Sequence, residues 1–215
     1  MKDKLENNNK MTQKEKLAYF IKKINENDQL KEEIYQRCDP DCFYLKEELA
    51  EDLDWLLEGG CKQDYDLIPF MNDGSGGLFV LVNDMHIAYM DSEGSAGYIA
   101  ETIEDFVNIL LVFKFFCYSE KSVKSFDVFM EEYNDDLFDK QPSELIDAFI
   151  EEEHMETDLK TVYHKLVKGL TILPPFVIDP TDDEYVTTTN LLRMDDEEFY
   201  HLCENIRQSY KTFCL

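Results

Sequence analysis

A chain of 215 residues with 44% hydrophobic residues, 15 Phe and 12 Tyr suits one packed domain with an appendage, or two small domains, and its aromatic content excludes a disordered acidic tail. Asp and Glu number 47 against 21 Lys and Arg, a net charge of −26, which repels other polyanions and argues against direct nucleic-acid binding, since that takes clustered Lys and Arg. Such a surface is either plain solvated acid or a face complementary to a basic partner, and complementarity of that kind mainly raises association rate and specificity.

The stretch from Met1 to Lys16 is polar and charged, without the apolar centre of a secretory leader. The apolar run at Ile109 to Val112 is far short of the ~20 residues that cross a bilayer. The expected location is the cytoplasm, with no membrane contact. Cys38, Cys42, Cys61, Cys117, Cys203 and Cys214 are expected to be free thiols. Cys38-Asp-Pro-Asp-Cys42 is not a redox Cys-x-x-Cys, and no second pair completes a zinc site.

In chain order, Thr12-Gln-Lys-Glu15 has capping-box spacing, and Leu17, Phe20, Ile21 and Ile24 follow at helical spacing. A second helix is predicted from Asp28 to Arg37, interrupted by Pro40. A third carries Leu45, Leu49, Leu53, Leu56 and Leu57, with Trp55 beside the stripe, and ends at Gly59-Gly60. The period then changes. Leu67 to Met71 reads as a strand containing Pro69, Asn72 to Gly77 as a turn, and Leu78 to Val82 with His86 to Met90 as a hairpin closed by Asn83-Asp84. Asp91 to Gly97 reads as another turn and Tyr98 to Ala100 as a short strand.

Thr102-Ile-Glu-Asp105 caps a helix that is apolar through Phe106, Val107, Leu110, Leu111 and Phe113 and therefore deeply buried, lying across the hairpin sheet. Beyond Cys117 come acidic helices. Their apolar stripes run through Phe126, Phe129, Met130 and Tyr133, then Leu145, Ile146, Phe149 and Ile150 with Ser143 as cap, then Leu159, Val162, Tyr163, Leu166 and Val167. Leu173 to Phe176 is expected extended, Asp179 to Glu184 an acidic loop, and Asp195 to Thr212 a last helix.

Catalytic signatures are sparse. Of the histidines, His86 reads as a surface or half-buried strand residue, and His154 and His164 stand about 80° apart round a helix with a break between them at Thr157 and Asp158. No His-Glu-x-x-His, Gly-x-Ser-x-Gly or EF-hand loop occurs. Asp73-Gly-Ser-Gly-Gly77 lacks the Lys and Ser/Thr of a phosphate loop and precedes a strand, so its glycines read as turn formers. Neighbouring carboxylates are so common here that they single out no pair. No catalytic, cofactor or metal residue is assigned; a pocket joining His164 or His201 to a carboxylate would be the sign of an enzyme.

The span from Pro69 to Phe116 resembles the SUKH superfamily, which includes fungal cell-wall-synthesis regulators and bacterial immunity proteins of polymorphic toxin systems. The likeness rests on Pro69-Phe70, Asp73-Gly74-Ser75-Gly76-Gly77 leading into Leu78-Phe79-Val80-Leu81, and the returning strand Ile87-Ala88-Tyr89-Met90. It continues through Asp91-Ser92-Glu93-Gly94, Gly97-Tyr98-Ile99-Ala100 and the helix opening at Thr102 to Phe106. The resemblance implies a single-sheet α+β fold, here residues 1–118 as an antiparallel-rich sheet with packed N-terminal helices; residues 119–215 have no counterpart in it and are expected, from their own stripes, to form an acidic helical extension. It implies a protein without catalytic residues or cofactor that protects its maker by binding a toxin domain, of nuclease or deaminase type and hence basic. Asp73, Ser75, Asp91 and Glu93 in the turns are candidate contacts, and the acidic C-terminal helices are another. An intracellular regulatory scaffold with several weaker partners, like the fungal members, is the alternative.

Overall fold

Leu17, Phe20, Ile21 and Ile24 are the buried face of α1 (Gln13–Asn25) in the structure, a computed structural model that describes residues 11–38, 40–43, 49–51, 53, 65–73, 76–92, 94–113, 119–136, 143–177 and 189–213. The capping box is complete: the Thr12 hydroxyl accepts from the Glu15 N–H, and the Glu15 carboxylate accepts from the Thr12 N–H. α2 (Asp28–Cys38) follows. Pro40, expected only to interrupt, opens a strand, β1 (Pro40–Phe43), which pairs with the next strand. Of the helix expected after Leu45, residues Leu49, Ala50, Glu51 and Leu53 are helical, while Trp55 and Gly59-Gly60 lie outside the described residues.

The sheet runs β1-β2-β3-β4-β5-β6, with β2 (Leu67–Asp73), β3 (Leu78–Val82), β4 (His86–Met90) and β5 (Ser95–Ala100). The pairs from β1 to β5 are antiparallel, and β6 (Thr189–Asn190) joins β5 in parallel. Pro69 sits where the β2–β3 register shifts, the irregularity at which a strand tolerates a residue without an N–H. β5 starts at Ser95, earlier than expected, because Asp91 closes its turn on Ser95.

Both faces of the sheet are covered. Strand side chains alternate with period two, so Phe79, Leu81, Ile87 and Ile99 join one cluster while Leu78, Val80, Ala88 and Ala96 join another with Leu49 and Phe176. Every residue of β3 is buried.

On the larger face lies α3 (Ile103–Phe113), the all-round apolar helix, with Phe70 edge-on to Phe106 at 5.3 Å between ring centres. The remaining helices are α4 (Glu120–Lys124), α5 (Phe126–Asp136), α6 (Glu144–Glu152), α7 (Leu159–Leu170) and α8 (Asp196–Phe213). The cap predicted at Ser143 accepts the N–H of Ile146, and Asp158, read only as part of a break, caps α7 by accepting the N–H of Thr161. α7 packs on both β5 and α3.

One hydrophobic cluster joins Leu17 and Leu81 to Phe129, Phe149, Leu166 and Cys203. The helices of the 119–215 extension therefore share the core of the 1–118 sheet rather than building one of their own. Asn108, 1% exposed on α3, secures the junction: its amide donates to the Glu156 carbonyl at 2.8 Å and its oxygen accepts from Lys165 Nζ at 2.9 Å. Lys165 also pairs with Asp105 at 3.0 Å.

Candidate functional site

The turns that carry the sequence-predicted contacts have one design. In the β2–β3 loop the Asp73 N–H donates to the Gly77 carbonyl at 3.0 Å, Asp73 Oδ1 accepts the Gly77 N–H at 2.7 Å, and the Asp73 carbonyl accepts the Gly76 N–H at 3.2 Å. In the β4–β5 loop Asp91 makes the same three bonds, with Ser95 at 2.9 and 2.7 Å and with Gly94 at 3.3 Å. Gly76 and Gly94 take φ of 90° and 93°, which a side chain would strain. An aspartate that folds its carboxylate onto its own turn, followed by glycine in the left-handed region, is the chemistry of a short hairpin loop.

Meander topology puts both loops at the same end of the sheet, and they touch: a Cβ on Gly76 would stand 3.7 Å from the Ser92 Cβ. Asp73 Oδ2 also accepts the Tyr89 hydroxyl, directly over Gly77. Asp91 Oδ2 lies 4.0 Å from Arg193. Asp73 and Asp91 are thus brought together as loop fasteners, each with one carboxylate oxygen committed to its own backbone. Ser75 and Glu93 lie outside the described residues.

The acidic helices offer a different kind of surface. α6 buries Ile146, Phe149 and Ile150 and turns Glu144, Asp147, Glu151 and Glu152 to solvent. No Lys or Arg occurs between Lys140 and Lys160. The Ser143 hydroxyl donates to Glu33 on α2, where Asp28 and Glu32 are exposed, so the acids of α2 continue those of α6 across the seam. At the other end of α6, Lys23 pairs with Glu152 at 2.5 Å and Glu153 at 3.0 Å. The hydrogen bond to Glu152 raises the Lys23 pKa most, against burial, which lowers it. The Tyr19 hydroxyl donates to Glu153, and burial first, then this carboxylate, hold its pKa up. The first turn of α8 exposes Asp196, Glu197 and Glu198 at the positive end of the helix dipole.

The four histidines stand on separate elements. His86, half-buried as expected, lies 3.0 Å through Nδ1 from the Glu101 carbonyl oxygen. His154 sits in the turn after α6 with φ 54°, and His201 is exposed on α8, 3.8 Å from Glu197. His164 lies in a groove with Asp127, a carboxylate, in its lining. Burial and then Lys160 and Lys168 hold the His164 pKa below its ordinary value, while Asp158 pulls the other way. Among the described residues no group of three or more His, Cys, Asp or Glu is placed to hold a metal, and no helix is long and apolar enough to cross a membrane. Sequence reasoning missed β1, α4, β6 and this groove. The signal for the last was the absence of any Asp or Glu from Leu159 to Ile178.

Comparison with protein-family models, with curated proteins and with solved structures gives no match for this chain.

Proposed function

We propose that this chain works by binding a basic protein and not by catalysis, as an immunity protein of the SUKH kind that neutralises a toxin domain in the cytoplasm. The observation that carries the reading is the exposed carboxylate row of α6, continued on α2, in a chain of net charge −26. Like charges are held together there by an apolar face that fits the core, so the row is a fixed feature of the fold. A toxin that handles nucleic acid carries the opposite charge, and complementary fields steer encounter, raising association rates ~10- to 1000-fold at low salt.

The test is a pull-down of the protein against the product of the gene next to its own, at low and high salt. A tight complex that weakens with salt and silences a toxic activity is the expected result. Reversal of charge at Glu144→Lys, Asp147→Lys and Glu151→Lys together should slow association at least ~10-fold while the fold persists, since all three side chains are solvated. No complex, together with no harm to cells on deleting this gene beside an intact neighbour, would refute the reading in favour of a regulatory scaffold. A complex whose rate ignores both salt and these substitutions would move the contact away from α6.

A further inference from the structure

α7 inverts the electrostatics of the molecule. In a chain with more than two acids per base, α7 carries Lys160, His164, Lys165 and Lys168 and no acid. Lys160, His164 and Lys168 are spaced i, i+4, i+8 and so form one line along the helix. That line is a wall of a groove of about 810 Å3, closed by the α4–α5 junction from Val123 to Asp127 and by Ile206 and Ser209 of α8. The volume is within the range of small-molecule sites, ~300–1000 Å3. Val123, Phe126, Tyr163, Val167 and Ile206 give it an apolar interior.

The cations of the groove divide in two. Lys124 pairs with Glu120, and Lys165 with Asp105, so both are neutralised by the fold. Lys160 and Lys168 are exposed and form no ion pair among the described residues. The hydroxyls nearby are engaged, Thr161 with Asp158 and Ser209 with the Ile206 carbonyl. The lining therefore presents two exposed ammonium groups either side of a half-buried imidazole, with the Asp127 carboxylate in the same lining and Asp158 acting on Lys160 and His164 through charge alone.

We propose that this groove binds a small organic phosphate, its dianionic headgroup over His164 between Lys160 and Lys168 and its apolar body against Phe126, Val167 and Ile206. Two charges of one sign call for a dianion rather than a carboxylate, and lysines, as mobile point charges, can converge on it from one turn before and one turn after. The net −26 does not prevent this, because at 0.1 M salt charges beyond ~10 Å are largely screened and the local pair decides. The His164 pKa is held down by burial first and then by the two lysines beside it, which disfavour a third positive charge. An anion seated there must raise that pKa.

The experiment is an NMR titration of the His164 ring, identified by its loss in His164→Gln, at ionic strength held constant with chloride. Phenyl phosphate, inorganic phosphate and benzoate are the probes. Phenyl phosphate should raise the His164 pKa by at least ~0.5 unit and bind at least ~10-fold tighter than either other probe. Lys160→Gln with Lys168→Gln should raise the free His164 pKa and abolish the phenyl phosphate response, and Lys160→Arg with Lys168→Arg should keep it. An imidazole that ignores phenyl phosphate overturns the proposal. So does a double Gln variant that binds it equally well. Equal binding of inorganic phosphate would remove the apolar body, and equal binding of benzoate would remove the dianion preference; either also overturns the proposal as stated.

Discussion

Gly169 is where α7 comes closest to the sheet, and its replacement by alanine separates two opposite expectations. In an open helix interior Gly→Ala stabilises by about 1 kcal/mol, because alanine orders less chain entropy. At Gly169 a Cβ would press into the Ile99 carbonyl and lie 2.5 Å from the Ala100 nitrogen. Those atoms are the main chain of β5, which cannot rotate away as a side chain could, so α7 must back off the strand. Overpacking costs ~1–3 kcal/mol, and a main-chain obstruction belongs at the upper end. The net effect of Gly169→Ala is a loss of about 2 kcal/mol. With a slope of ~2 kcal/mol/M the urea midpoint falls by about 1 M. Gly97→Ala is the internal control: its Cβ would meet the Leu191 side chain, 2.9 Å away at nearest, which can move, so the drop should be smaller. A Gly169→Ala midpoint equal to or above that of the parent would refute the seating of α7 on β5, and with it the shared core of the two halves.

Leu110 is 1% exposed within α3, so Leu110→Asp buries a carboxylate without a partner and should abolish the cooperative melt seen by circular dichroism; a melt near the parent's would refute the placement of that helix. Asp73→Ala removes the acceptor of the Gly77 N–H and of the Tyr89 hydroxyl. It should cost ~1–2 kcal/mol and speed hydrogen exchange at Gly77, whereas an unchanged exchange rate would make Asp73 a pure surface acid. Burial pushes the Cys203 thiol up to about 11 from 9.0, with Arg207 pulling slightly back. Between those pH values the unfolded chain has lost a proton that the folded one keeps, so stability falls as pH rises from 9 to 11. Cys203→Ala should show a shallower alkaline decline in urea titrations, and parallel curves for the two proteins would contradict this assignment.

Much of the fold was legible because helices are local. The stripes Leu17–Phe20–Ile21–Ile24 and Ile146–Phe149–Ile150, the caps Thr12 and Ser143, and the all-round apolar α3 each depend on residues within two turns of one another. The β3–β4 hairpin was legible for the same reason: Asn83 and Asp84 accept φ of 53° and 52° between two apolar runs. The candidate contacts were only half legible. The Asp-Gly spelling showed that turns were there, but not that Asp73 and Asp91 spend a carboxylate oxygen on their own backbones.

Strands β1 and β6 had no local signature. One begins at a proline and the other has two residues; each exists only because a distant strand edge offers N–H and C=O groups to pair. Composition supplied the sign of the surface charge and nothing of its distribution, because net charge is a sum. Folding decided that the acids of α6 and α2 would meet at a seam, and that Lys160 and Lys168 would border a groove. Tertiary packing also decided that α7 would lie on β5: a helix stripe states that a face must be buried, and only the shape at Gly169 states against what.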